Sequence, residues 1–138
     1  MKILELLTAK KVVGNLGEAE AAKYLKKNGY KIVKTNYVAD GHEIDIIAEN
    51  CDTLAFVEVK TRTYGKENPN EPRPASSVTP EKQRKIIQAA KTYISFTRPE
   101  KQIRFDVIEV IVSKDKKKCN ISHLIQAFNA DTAYRRRH

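Results

Sequence analysis

Four charged residues sit where the chain otherwise reads as buried strand. From Glu43 to Arg62 the sequence runs EIDIIAENCDTLAFVEVKTR. Its apolar content predicts two adjacent β-strands, interrupted by Glu43, Asp45, Glu58 and Lys60. If Cys51-Asp52 is a two-residue turn, Asn50 faces Thr53. Asp45 then falls opposite Glu58, and Glu43 opposite Lys60. Side chains alternate along a strand, so all four project from one face. Ile47 opposite Phe56, and Glu49 opposite Leu54, continue that face. The other face carries Ile44, Ile46 and Ala48 against Val59, Val57 and Ala55, and is wholly apolar. A slip of one residue would send the two pairs to opposite faces.

Such a register has a chemical consequence. Burying an unpaired carboxylate costs roughly several kcal/mol unless something neutralises it. Lys60 offsets one charge of three, and a divalent cation would offset the rest. Mg²⁺ suits the position, with Mn²⁺ as a substitute: it prefers oxygen ligands, accepts one or two carboxylates and keeps several waters. The backbone carbonyl of Val59 is a further candidate ligand. A metal-held water beside a lysine is equipment for hydrolysing a phosphodiester, because the metal acidifies the water and the lysine steadies developing charge. Glu-x-Lys on a strand is also a common surface pair. The apolar neighbours on both faces favour the catalytic reading, while Glu43 could serve structure alone.

The surrounding pattern must position these residues. Residues 15–28 read as a helix with Asn15 as N-cap, Gly29 as stop, and Leu16, Ala19, Ala22 and Leu25 as its apolar stripe. Glu18 lies on or beside that stripe. Residues 30–38 predict a strand, and Asp40-Gly41 a turn. Residues 63–78 hold prolines and no apolar pattern, so they predict a long loop. Thr79-Pro80-Glu81 is a helix start. That helix should run to about Ser95, with Ile86, Ile87, Ala90, Tyr93 and Ile94 inward. Residues 102–112 predict a buried strand, and residues 119–127 a last strand or an irregular segment. A helix joining the third and fourth strands makes them parallel. The expected class is α/β: an αβββαβ order with a mixed sheet flanked by helices.

The 138 residues fit one domain, with its core over about residues 13–127 and a basic tail from about 129. Charged residues make up 31% and the apolar set 41%, as in a globular chain. No apolar run approaches the ~20 residues that span a bilayer. Glu5, Lys10 and Lys11 spoil any signal-peptide pattern, so the expected location is cytoplasmic. Cys51 and Cys119 make no CxxC, and scattered His42, His123 and His138 make no zinc site. The net charge of +9 favours polyanionic partners, nucleic acid before others.

An ordered set of motifs now adds to this. Asp45 followed by Glu58-Val59-Lys60 resembles the PD-(D/E)XK signature of the restriction-endonuclease-like fold. Gly17-Glu18, Glu43-Ile44-Asp45-Ile46-Ile47-Ala48, Phe56-Val57-Glu58-Val59-Lys60-Thr61-Arg62 and Arg104-Phe105-Asp106-Val107 together resemble the YraN-like family of uncharacterised bacterial proteins. The likeness spans about Val13 to Val112 and implies a restriction-endonuclease-like αβββαβ core. That group is similar to archaeal Holliday-junction resolvases, which implies an endonuclease acting on branched or structured DNA. The resemblance assigns Asp45 and Glu58 to the metal, Lys60 to catalysis, and Glu18 to the helix carboxylate that completes the site. One departure is Gly41-His42-Glu43, where the family has Gly directly before Glu; it leaves the roles of His42 and Glu43 open.

Arg62, Lys66 and Arg73 follow the site and could reach phosphates, although solubility explains them equally well. Lys82 and Gln83 open the second helix and could face the site or the solvent. Asp106 could balance Arg104 or Arg62. Tyr37 and Tyr64 could stack on bases, but packing is the commoner use of such tyrosines. Two alternatives to the nuclease stand beside it: a non-catalytic nucleic-acid-binding module, and a scaffold protein of a DNA-processing complex. A homodimer would suit cutting of two strands, and no sequence feature establishes one.

Overall fold

The computed structural model describes residues 3–65 and 78–130, with side chains from residue 14 onward. Helix α1 spans Ile3–Lys27, and strands β1 (Lys31–Ala39), β2 (His42–Glu49) and β3 (Thr53–Thr63) follow. Helix α2 (Pro80–Thr97) then leads to β4 (Gln102–Val112) and β5 (Cys119–Phe128). The five strands form one sheet in the order β1-β2-β3-β4-β5. Only β3 and β4 run parallel, joined by α2; the other neighbours are antiparallel. The described residues therefore form an α/β arrangement with a mixed sheet and two helices, as the element order predicts. The uncertain segment after residue 119 is a full strand.

Each face of the sheet carries its own core. Ile47, Leu54, Phe56, Phe105 and Val107 pack with Ile86, Ile87, Ala90 and Tyr93 of α2. Ile46, Ala48, Ala55, Val57, Ile108 and Val110 pack with Ala21 and Leu25 of α1. Helix α2 forms where its signals place it. Thr79 caps the helix by accepting from the Lys82 N–H at 3.2 Å, and Pro80 occupies the first turn. Arg98 closes the other end with φ 46°, its N–H donating to the Ile94 carbonyl.

Two expectations need correction. Asn15 is not an N-cap: α1 continues through it from Ile3. Residues 3–13 contain no proline or glycine and hold three Leu and two Lys, so nothing in them stops the helix, and a cap-type residue alone does not start one. Ile44 does not share a cluster with Ile46 and Ala48. It joins Ile47 and Phe56 on the α2 side, so simple alternation fails around Asp45. The neighbouring strand is irregular here: Asn36, which lies beside Asp45 on β1, has φ 51°, and the β1–β2 register slips between Ile32 and Lys34.

Helix α1 lies close against β3. A Cβ placed on Gly17 would overlap the side chain of Thr61, so only glycine admits this approach. The contact sets the neighbouring Glu18 beside the end of β3 that carries Glu58 and Lys60.

Candidate functional site

The turn at Cys51-Asp52 exists. The Asn50 N–H donates to the Thr53 carbonyl at 3.0 Å, and Asn50 Oδ1 accepts from the N–H groups of Asp52 and Thr53. The predicted register follows from it. Glu49 faces Leu54, Ala48 faces Ala55, Ile47 faces Phe56 and Ile46 faces Val57. There the ladder stops. The expected pairs Asp45–Glu58 and Glu43–Lys60 are not part of it, because the strands separate beyond Ile46 and Val57.

The separation creates the site. Strand β3 continues beside β4 as far as Thr63 but has lost β2 as a neighbour. Its exposed backbone donor at Val59 is taken up by a side chain: the N–H donates to Asp45 Oδ2 at 2.8 Å. A carboxylate thus replaces a strand carbonyl and is fixed where the two strands diverge. Glu58 faces the α2 side, in line with Phe56 and Leu54. It is 6% exposed.

Two lysines approach Glu58. Lys60 Nζ lies 3.8 Å and Lys82 Nζ 4.0 Å from its Oε1. Oε2 is buried and has no hydrogen-bond partner among the described residues. Burial first, and Asp45 second, push the Glu58 carboxyl up to about 7, despite both lysines. The Asp45 carboxyl is also raised, mainly by burial, although the Val59 N–H opposes this. The negative charge of Asp45 and the burial of Glu58 thus act in the same direction on the Glu58 carboxyl. Glu18 of α1 joins the group, its carboxyl raised by burial and then by Asp45 and Glu43, with Asn36 opposing.

Glu18, Asp45, Glu58 and Lys60 converge, and Lys82 reaches them from α2. Gln83 is buried and donates from Nε2 to the Val78 carbonyl at 2.9 Å, leaving its Oε1 unpartnered. Arg62 is held by Glu109 at 2.9 Å, so part of its guanidinium is committed within the fold. Tyr37 packs edge-on against Tyr93, which is a core role. Lys66 and Arg73 lie outside the described residues. Asn36 was missed. A lone Asn in a strand gives no signal until its backbone angle and its two carboxylate neighbours are visible.

Does the site fit a divalent cation? Among the described residues no three or more His, Cys, Asp or Glu side chains form a ready-made metal cage. Mg²⁺ needs less than that, since one or two carboxylates and water satisfy it. Asp45 and Glu58 supply the pair. The unpartnered buried oxygen of Glu58 supplies an acceptor that a cation would satisfy. The residues fit.

A second polar cluster lies on the opposite face. Asp106 is fully buried. It accepts from Arg104 at 2.9 and 2.8 Å, is 2.8 Å from His123 Nε2, and accepts from the Gln126 N–H at 3.0 Å. Tyr24 of α1 meets the other nitrogen of His123 at 3.1 Å, and Arg104 donates to the Tyr30 hydroxyl at 2.6 Å. The expected Arg104 partnership holds, and Arg62 takes Glu109 instead.

Comparison with known proteins agrees with the motif set. The profile of the uncharacterised protein family UPF0102 matches residues 17–110. A UPF0102 protein of Chlorobium phaeobacteroides is 39% identical over 125 residues, covering 87% of this chain and 95% of the relative. One from Caldanaerobacter subterraneus is 41% identical over 121 residues, covering 86% and 96%. One from Dictyoglomus thermophilum is 41% identical over 119 residues, covering 86% and 98%. With the matched span carrying Glu18, Asp45, Glu58 and Lys60, this chain belongs to the UPF0102, or YraN-like, family of uncharacterised proteins.

Proposed function

We propose that this protein is a metal-dependent endonuclease with a restriction-endonuclease-like core, hydrolysing phosphodiester bonds of DNA, with branched or structured DNA as its preferred substrate. The observation that carries this reading is the divergence of β2 and β3 at Asp45. There one carboxylate is pinned to the Val59 N–H, beside a buried Glu58 with a free oxygen and a lysine two residues on. A purely structural cluster would not leave buried like charges together without matched partners.

Each residue has a role in this proposal. Asp45 and Glu58 hold Mg²⁺ or Mn²⁺, with Glu18 completing the set from α1. The bound ion supplies charge neutralisation and acidifies an attacking water. Lys60, with its side chain 37% exposed, reaches solvent from its place beside Glu58. It can donate to the oxygen on which negative charge develops. Lys82 adds positive charge at the same opening, where a phosphate would arrive. The net charge of +9 favours such a partner. Among the described residues no helix is long and apolar enough to cross a membrane; the proposed setting is the cytoplasm, with nucleic acid as the partner and a homodimer for two-strand cutting.

The test is cleavage of branched, single-stranded and duplex DNA with Mg²⁺ or Mn²⁺. Asp45→Asn, Glu58→Gln and Lys60→Ala should each lose activity. Wild type and variants cutting none of the substrates, but binding DNA with a steep salt dependence, would make the protein a non-catalytic binding module. Absence of both cutting and binding would leave the scaffold role.

A further inference from the structure

The roles of Asn36 and Glu43 can be taken further, on the basis of the metal-site reading above. Asn36 stands inside β1 with φ 51°, a left-handed conformation that few side chains other than glycine adopt. It falls between the pairs Thr35–Ile46 and Tyr37–Ile44, which sets it beside Asp45. In the amide orientation that satisfies its donors and acceptors, Nδ2 donates to Glu43 Oε1 at 2.8 Å and to Glu18 Oε2 at 3.3 Å. One amide thus serves two carboxylates, one from β2 and one from α1.

The choice of side chain has a physical reason. A lysine here would neutralise the acids that are to hold a cation. An acid would add repulsion. A neutral amide donates twice, adds no net charge, and Asn is among the few residues that accept this backbone. Glu43 is exposed while Glu58 is buried, so Glu43 stands at the outside of the cluster with one oxygen already engaged.

We propose that Asn36 is a positioning residue for Glu18, and that Glu43 is the anchor of Asn36 rather than a metal ligand. The Glu43–Asn36–Glu18 bridge ties α1 to the sheet so that the helix carboxylate is in place before any cation arrives. Second-layer partners of metal-binding side chains commonly change metal affinity by about 10–100-fold when removed.

Calorimetric titration of the intact chain with Mn²⁺ tests this, with metal-free melting curves as folding controls. Asn36→Gly keeps the backbone conformation and removes the amide. Glu43→Ala removes the anchor. Both should weaken Mn²⁺ binding about tenfold, and Asn36→Gly should lower kcat with little change in KM. Glu43→Gln keeps an acceptor oxygen for Asn36 and should bind Mn²⁺ within about threefold of wild type. Should Asn36→Gly fail to fold, the two Glu43 variants decide the matter. Wild-type affinity in Asn36→Gly or Glu43→Ala overturns the proposal. So does a Glu43→Gln variant that loses binding as completely as Asp45→Asn, which would make Glu43 a ligand. Undiminished binding in Asp45→Asn would overturn the metal-site reading itself, and this inference with it.

Discussion

Asp106 and Glu58 are buried acids on neighbouring strands of one sheet, and they live under opposite conditions. Asp106 faces α1 and has a partner for both oxygens: Arg104, His123 and the Gln126 N–H. Burial would raise its carboxyl, but these partners together hold it below its ordinary value. Glu58 faces α2, keeps one oxygen without a partner, and has Asp45 for a neighbour. Its carboxyl is driven up to about 7. The first cluster is complete as folded. The second leaves a buried acceptor oxygen open among the described residues. Similar residue types on one scaffold thus separate into a structural network and a candidate site by whether their hydrogen bonds close.

Substitutions should separate the two clusters sharply. The largest effect is expected from Asp106→Ala, which strands Arg104 and His123 in a buried setting. It should cost about 3–5 kcal/mol in urea unfolding. A loss below about 1 kcal/mol would mean that the network contributes little. Glu58→Gln should act in the opposite direction, stabilising the metal-free protein by about 1–2 kcal/mol while abolishing cleavage. A destabilised variant would show that Glu58 is not under strain.

Acidity should distinguish the clusters by sign. Glu58 binds a proton more readily folded than unfolded, since its carboxyl rises from 4.5 to about 7. Its favourable contribution is therefore present below pH 4.5 and is lost as pH rises through 7. Asp106 has a lowered carboxyl, so its contribution is present above 3.8 and fails as pH falls below that value. Between pH 5 and pH 8 the metal-free protein should lose on the order of 1–3 kcal/mol from the Glu58 cluster, seen in melting curves. Millimolar Mg²⁺ should restore much of this at pH 8 and little at pH 5, where protons already occupy the acids. Equal shifts at both pH values would break the link between cation and carboxylates. The smallest effect is expected from Lys82→Met. Its side chain is 41% exposed and its ammonium lies 4.0 Å from Glu58, so stability should change by less than about 1 kcal/mol.

Legibility differed between elements for identifiable reasons. Helix α2 could be read because Thr79, Pro80 and the inward Ile86, Ile87, Ala90 and Tyr93 all act locally. The β2–β3 turn could be read because Asn50 and a two-residue link leave one register. The start of α1 could not, since Asn15 looks the same inside a helix as before one. The side taken by Ile44 could not, because it is settled by packing with Ile47 and Phe56 rather than by strand alternation. The Asp106–His123–Tyr24 chain joins residues of β4, β5 and α1, and no spacing along the sequence announces it.

What the sequence determined alone was composition, order and local pairing: which segments are strands, which are helices, and that Asp45, Glu58 and Lys60 lie near one another. These follow from periodicity, capping and turn chemistry, all short-range properties. Only the tertiary structure decided that β2 and β3 part at Asp45, that α1 and α2 bring Glu18 and Lys82 to the opening, and that one buried acid is satisfied while another is not. Those outcomes depend on which distant backbone or side-chain groups reach a given oxygen, and distance through space is not written in distance along the chain.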